Sequence, residues 1–209
     1  KKKDLFIKIV LPLVLQENNR ILLDRKRLFV ILNKNINTKS EKEWLKRKFK
    51  QYGVVNNDLP TLKVRMDIIP TSLAIAQSAK ETGRGTSRFA IEGNALFGQW
   101  TWSGEGIKPA AAEGDHKIMS FKVLKASVRA YQRNLNTHSS YREFRKTRAI
   151  QRDNEGKLNS LELVQYLHQY AETGIEYTKI LKKIIEQNSL TDFDDAKILP
   201  TSKKLKSLI

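Results

Sequence analysis

The segment LAIAQSAKETGRGTSRFA, residues 73–90, places a carboxylate, Glu81, two positions before Gly83 at the close of a run of small and apolar residues. Leu, Ala, Ile and Ser cover nearly the whole circumference of the helix this run predicts, so the helix belongs inside the domain. A carboxyl group at its C-terminal end meets two effects of the same sign. Partial desolvation and the negative end of the helix dipole both disfavour the charged form and raise the pKa. A carboxylic acid still protonated near neutral pH is what a general acid requires. GRGTS then reads as a loop that gives the acid access to a cleft. The competing reading pairs Glu81 at the surface with Lys80, Arg84 or Arg88, and spacing alone leaves both open.

Two further residue types bear on chemistry. Trp100 and Trp102, in QWTW, alternate on a predicted strand and so face opposite sides, one lining a cleft and the other packing inward. Tyr141 and Arg145 share a helical face, either bordering a groove or capping that helix. Other chemistries are closed off. The chain has no cysteine, which excludes disulfides, thiol nucleophiles and cysteine metal sites. Its three histidines, His116, His138 and His168, form no zinc-binding motif, and no phosphate-cradling glycine loop is present. Neither cofactor nor metal is expected. The net charge of +17 points to a polyanionic partner or surface. Nucleic acid fits that charge, but the chain lacks the interleaved aromatic and basic pattern of a nucleic-acid binder.

The elements that would position these residues are mostly helical. Residues 4–33 carry Leu5, Ile9, Leu13, Ile21, Leu22, Leu28 and Ile31 at helical spacing. Within them LFIKIVLPLVL is short for a membrane span and reads as a core helix kinked or started near Pro12. The chain opens on KKKD with no signal peptide, which fits a mature form whose address has been removed. Ser40 and Glu43 stand in capping-box positions for a helix that stops at Gly53. A turn and a short helix follow, and Pro70 falls in the first turn of the Leu73–Thr82 helix.

Seven of the ten glycines lie between Gly83 and Ser120, and there the texture turns to loops and a β-hairpin, FGQWTW against HKIMSF. Helices return with the stripe Phe121, Leu124, Val128, Tyr131 and Leu135. Ser140 with Glu143, and Asn159 with Glu162, mark two more helix starts, and Gly174 reads as the stop of the second. The tail after residue 192 looks basic and peripheral. The fold class is mainly α (α+β), with one small β lobe inserted in the middle.

Against this background a family pattern becomes visible. Ala76, Gln77, Ala79, Glu81, Thr82, Gly83, Gly85 and Ser87, then Asn94, Leu96, Phe97 and Gly98, resemble the motif of the glucosaminidase family of cell-wall hydrolases, family 73 of the glycoside hydrolases. YAETGIEYTKILKKII is similar to that family's closing segment. Leu11–Val14, Asn19, Ile21, Leu22, Arg25 and Leu28, together with FGQWTW…GIKP and SVRAYQRNLNTHSSYREFR, resemble its Bax-like branch. The resemblance covers about residues 5 to 190 with the blocks in order.

The resemblance implies a lysozyme-like helical domain whose cleft lies between a helical body and a β lobe near 97–121. It implies hydrolysis of the β-1,4 bond after N-acetylglucosamine in peptidoglycan, with Glu81 as the acid. The catalytic domain would run over 1–192, N-terminal helical extension included, with 193–209 as the tail. The family's second carboxylate sits roughly thirty to forty positions on. Glu113, 32 positions after Glu81, is best placed; Glu105 and Asp115 are alternatives, as is help from the substrate's acetamido group. Relatives often carry an acid after the lobe's histidine, where this chain has Lys117. An inverting pair needs carboxyls about 6.5–9.5 Å apart. Tyr170 occupies the family's tyrosine slot, orienting water or the acetamido group or else simply packing in the core. Asn94 would hold the loop below the cleft, and Gln99, Trp100, Trp102 and Tyr141 would contact glycan. The expected partner is the peptidoglycan glycan strand, with association to an anionic wall or membrane surface, no nucleic acid, a monomer, and a place in the periplasm or cell envelope. A wall-binding scaffold that keeps the fold without turnover is the second reading, prompted by Lys117.

Overall fold

The computed structural model describes residues 2–101, 105–109, 117–154 and 156–199. Helix α1 (Lys2–Leu32) runs unbroken through Pro12, where the sequence predicts a kink or a start. Proline removes one hydrogen bond to the carbonyl four residues earlier. Both Pro12 and Lys8 face solvent, so water can serve the freed carbonyl and the helix continues. The buried face of α1 joins two cores. Phe6, Val10 and Val14 enter the larger one, and Leu28 and Ile31 enter the smaller.

The smaller core is closed by α2 (Lys39–Gln51) and α3 (Leu59–Arg65), which contribute Trp44, Phe49 and Leu62, with Tyr52 and Met66 just beyond them. The capping box of α2 is Thr38 with Glu41, two residues before the expected Ser40 and Glu43. Thr38 Oγ1 accepts from the Glu41 amide at 3.3 Å, and Glu41 Oε2 accepts from the Thr38 amide at 2.9 Å. Both pairs satisfy the same sequence rule, so the rule alone could not choose between them.

The larger core surrounds α4 (Thr71–Thr82), of which every residue from Thr71 to Ser78 is buried. Its first turn has no cap of its own, because Pro70 precedes it. Asp194 takes that role from the far end of the chain, accepting from the Ser72 amide at 2.8 Å and the Ser72 hydroxyl at 2.7 Å. A carboxylate there meets the positive end of the helix. Helices α5 (Arg88–Gly93), α6 (Leu124–Thr137), α7 (Arg142–Asn154), α8 (Ser160–Leu163) and α9 (Ile175–Gln187) complete the body. Buried amides stitch it together: Gln132 Nε2 donates to Asn18 Oδ1 at 2.7 Å, and Asn18 Nδ2 to Ile69 O at 2.9 Å.

One helix start and one helix end differ from expectation. Ser140 lies inside a 3-10 turn, Ser139–Tyr141, opened by His138, whose Nδ1 accepts from the Ser140 amide at 3.2 Å. Asn159 does cap α8, accepting from the Glu162 amide at 3.1 Å. That helix lasts four residues, tightens into a 3-10 turn at Val164–Leu167, and leaves Gly174 at the head of α9 rather than at a helix end.

The β lobe is a three-stranded sheet in the order β1-β3-β2, with β1 (Trp100–Thr101), β2 (Gly106–Ile107) and β3 (Lys117–Met119). Both outer strands are antiparallel to β3, Trp100 opposite Ile118 and Gly106 opposite Met119. The expected pairing of QWTW with HKIMSF is present. The third strand was missed because two residues are too few to show alternation. At Gly106 a Cβ would stand 2.7 Å from Ile118 O, so only glycine lets β2 come this close.

Candidate active site

Glu81 sits on the last turn of α4, which Gly83 ends in the left-handed conformation with φ +57°. Thr82 closes the turn: its Oγ1 donates to Ser78 O at 2.7 Å and accepts from the Gly85 amide at 2.8 Å. The side chain of Glu81 therefore leaves a rigid, buried helix end at a fixed angle. Its Oε1 accepts a hydrogen bond from the Tyr177 hydroxyl at 2.8 Å. Tyr177 in turn accepts from Gln77 Nε2 at 3.1 Å, and Gln77 Oε1 accepts from the Tyr131 hydroxyl at 2.6 Å. Gln77, Tyr131 and Tyr177 are all buried. The result is a chain of donors, all oriented toward the carboxyl group.

Gly98 forms the other wall. A Cβ there would stand 2.8 Å from Glu81 Oε2, and the residue has φ +58°, so both space and backbone call for glycine. Oε1 is thus occupied by Tyr177. Oε2 has no hydrogen bond to a described residue. Burial pushes the Glu81 pKa up, while the Tyr177 hydrogen bond and the charge of Lys80 pull it down less strongly. The surface ion-pair reading fails among the described residues. Arg88 donates to Lys108 O and lies against Glu92, and no arginine pairs with Glu81.

Three tyrosines pack beside the acid. The Tyr170 ring stacks on Tyr177 with centroids 5.7 Å apart, and its hydroxyl donates to Phe97 O at 2.7 Å. Tyr170 thereby ties the closing segment to the Phe97–Gly98 loop that borders Glu81. Its phenol is held well above the usual range by burial. Tyr141 is 6% exposed, with its ring 6.1 Å from that of Tyr170. Burial raises its pKa to about 12, and the Glu81 charge adds to the rise. Arg145 is almost wholly buried, its Nη1 donating to Leu135 O and His138 O.

The remaining candidates lie around the lobe. Asn94 adopts φ +50° after α5 and donates through Nδ2 to Phe121 O at 2.8 Å, pinning the loop that leads to Gly98. Gln99 donates to Ala130 O at 3.4 Å and leaves its Oε1 buried without a partner. Trp100 is 48% exposed on β1. Glu105 is exposed at the edge of the lobe. Glu113, Asp115 and Trp102 lie outside the described residues.

Gln77, Tyr131 and Tyr177 carry no role in the sequence reading. Tyr131 counted as an apolar stripe residue and Tyr177 as a family landmark. The available signal was Gln77 itself: an amide in the middle of a wholly buried helix must find polar partners. Among the described residues no cluster of His, Asp and Glu could hold a metal ion, and no helix is long and apolar enough to cross a membrane.

Comparison with known proteins gives the chain its relatives. Protein bax of Escherichia coli (strain K12) is 32% identical over 194 residues, spanning 90% of this chain and 70% of its own. The catalytic domain of the autolysin Auto from Listeria monocytogenes is a weaker structural likeness, at TM-score 0.47 and 18% identity over 82% of this chain and 97% of that one. The profile of the glucosaminidase family, described as mannosyl-glycoprotein endo-beta-N-acetylglucosaminidase, matches residues 58–190, from the start of α3 through α9 and with Glu81 and its tyrosines inside. The chain belongs to the glucosaminidase family.

Proposed function

We propose that this protein hydrolyses peptidoglycan at the β-1,4 bond after N-acetylglucosamine, with Glu81 as the general acid. The observation that carries the proposal is the Glu81 carboxyl group, raised in pKa by burial and held by a phenol instead of a cation. Glycosidic cleavage needs a proton on the departing oxygen as the sugar takes on oxocarbenium character. Tyr177 fixes Oε1, so the proton on Oε2 points away from the relay and toward the bond to be cut. As the proton leaves, the carboxylate that forms keeps the Tyr177 hydrogen bond, which stabilises it. Tyr170 holds the Phe97 carbonyl, and with it the Gly98 wall, at a constant distance from the acid. Trp100 offers an aromatic face to a sugar ring. The second carboxylate is assigned to Glu113 by its sequence position. The charge of +17 concentrates the enzyme on an anionic wall and fits a protein of the cell envelope.

The test is digestion of murein sacculi followed by mass spectrometry of the products. New reducing ends at N-acetylglucosamine are expected, and muramic acid ends would refute the assignment. Glu81→Gln should lose turnover by at least about a thousandfold while keeping its fold. The second reading, a wall-binding protein without turnover, draws on Lys117, which places a cation on β3 opposite Thr101. Binding of sacculi without cleavage by the unaltered chain would favour it.

A further inference from the structure

A second concentration of polar groups lies outside the surroundings of the acid. A cleft of about 490 Å³ opens between α3 and the turn that leads into α7, lined by Thr61, Arg65, Ser139, Arg142, Arg145 and Lys146. Four of these residues are cations, and no carboxylate lines the cleft. Arg145 is only 4% exposed. Its Nη1 donates to Leu135 O at 2.9 Å and His138 O at 2.7 Å, which fixes the guanidinium plane. Its Nε and Nη2 have no partner among the described residues, although the side chain lines the cleft. Arg65 repeats the arrangement, its Nη1 spent on Tyr52 O and Gly53 O at 2.8 and 2.7 Å. Arg142 stands exposed at the rim without a described partner. Lys146 is engaged with Glu143 in an exposed pair.

Three guanidinium groups facing one space repel each other. Burial first, then the charges of Arg65 and Arg142, bring the pKa of Arg145 down to about 10. An oxyanion between them relieves that repulsion and satisfies the idle N–H groups, and the planar fork of arginine matches a carboxylate in two-point contact. One turn links the cleft to the tyrosines that pack beside Glu81. Ser139 and Tyr141 belong to one turn, with Ser139 on the cleft and the Tyr141 ring beside Tyr170.

We propose that this cleft is a carboxylate-binding subsite, and that it takes a free carboxylate of the peptide borne by the glycan. The choice of peptide rests on the proposed hydrolysis of peptidoglycan. Two measurements decide it. In the first, the arginine side-chain Nε–H signals of the whole chain are followed by NMR as sodium glutarate, and separately inorganic phosphate, is added at constant ionic strength. The Arg145 signal should respond saturably to glutarate, and Arg142→Glu should weaken that response at least tenfold. No saturable shift, a tighter response to phosphate, or an unaltered affinity in Arg142→Glu would overturn the subsite.

In the second, kcat/KM is compared on peptide-bearing murein and on glycan strands stripped of peptide by an amidase. The preference for the peptide-bearing polymer should fall about tenfold in Arg142→Glu, and an unchanged preference would overturn the peptide assignment. Failure of the hydrolysis reading looks different. The unaltered chain would then cleave neither polymer, while the glutarate titration would still report on the cleft.

Discussion

The helical body treats two of its carboxylates, the buried Asp67 and the half-buried Glu81, in opposite ways, and the contrast shows how this chain sets charge. Asp67, 2% exposed, is ringed by arginines: Arg152 donates to its two oxygens at 3.1 and 3.2 Å, and Arg25 lies 3.9 Å away. Burial opposes its charge, but Arg148, Arg25 and Arg152 together hold its pKa below the usual carboxylate range. Glu81 has no such company. Its closest donor is a phenol, and burial carries its pKa upward. Depth alone therefore does not decide protonation; the identity of the donor does. Arginine partners draw a buried carboxyl toward its charged form, and a single tyrosine does so too weakly to offset burial.

Substitutions can break that contrast, in decreasing order of effect. Glu81→Gln has the largest, the loss of turnover described above, and should leave the urea midpoint at pH 7 no lower than that of the unaltered chain. Asp67→Asn should act in reverse, costing about 3 kcal/mol of stability in urea unfolding by leaving fully buried Arg148 and its neighbours without a counter-charge. Turnover per folded molecule should survive.

Tyr177→Phe sharpens the comparison, because it removes the only donor to Glu81 among the described residues. That hydrogen bond lowers the Glu81 pKa, so its loss should move the alkaline limb of the kcat/KM profile upward by about one pH unit. The stranded Gln77 amide should also cost about 1–3 kcal/mol of stability. The smallest effect is in the pH dependence of unfolding. Asp67, and Glu17 with its partners Arg129 and Arg20, have depressed folded pKa values, so their stabilisation is present above the unfolded values and is lost as pH falls through the folded ones. Glu81 has the opposite sign. Between its unfolded and folded pKa the native state holds the extra proton, so stability falls as pH rises through that window. A urea titration of the midpoint between pH 3 and 8 should lose this descending component in Glu81→Gln.

Glu81 stood out in the sequence because it places a carboxylate at the end of a helix where the dipole disfavours its charge. The helical stripes of α6, the Asn159 cap and the pairing of β1 with β3 were legible because each is a short-range pattern. What escaped depends on distant parts of the chain. Tyr131 has the spacing of a core residue, and nothing local says that its hydroxyl meets Gln77, 54 positions away. Pro12 looked like a break because propensity cannot tell that its side of α1 faces water. The two capping boxes near Thr38 fit the same local rule, so the sequence could not say which one α2 would use.

The single span of α1 across both cores has a mechanical consequence. The family match begins at residue 58, yet the segment before it is not an appendage on a swivel. The same rod that supplies Phe6 and Val10 to one core supplies Leu28 and Ile31 to the other. Pulling the smaller core apart would drag on a beam fastened beneath α4, so the two halves of this molecule should stand or melt together.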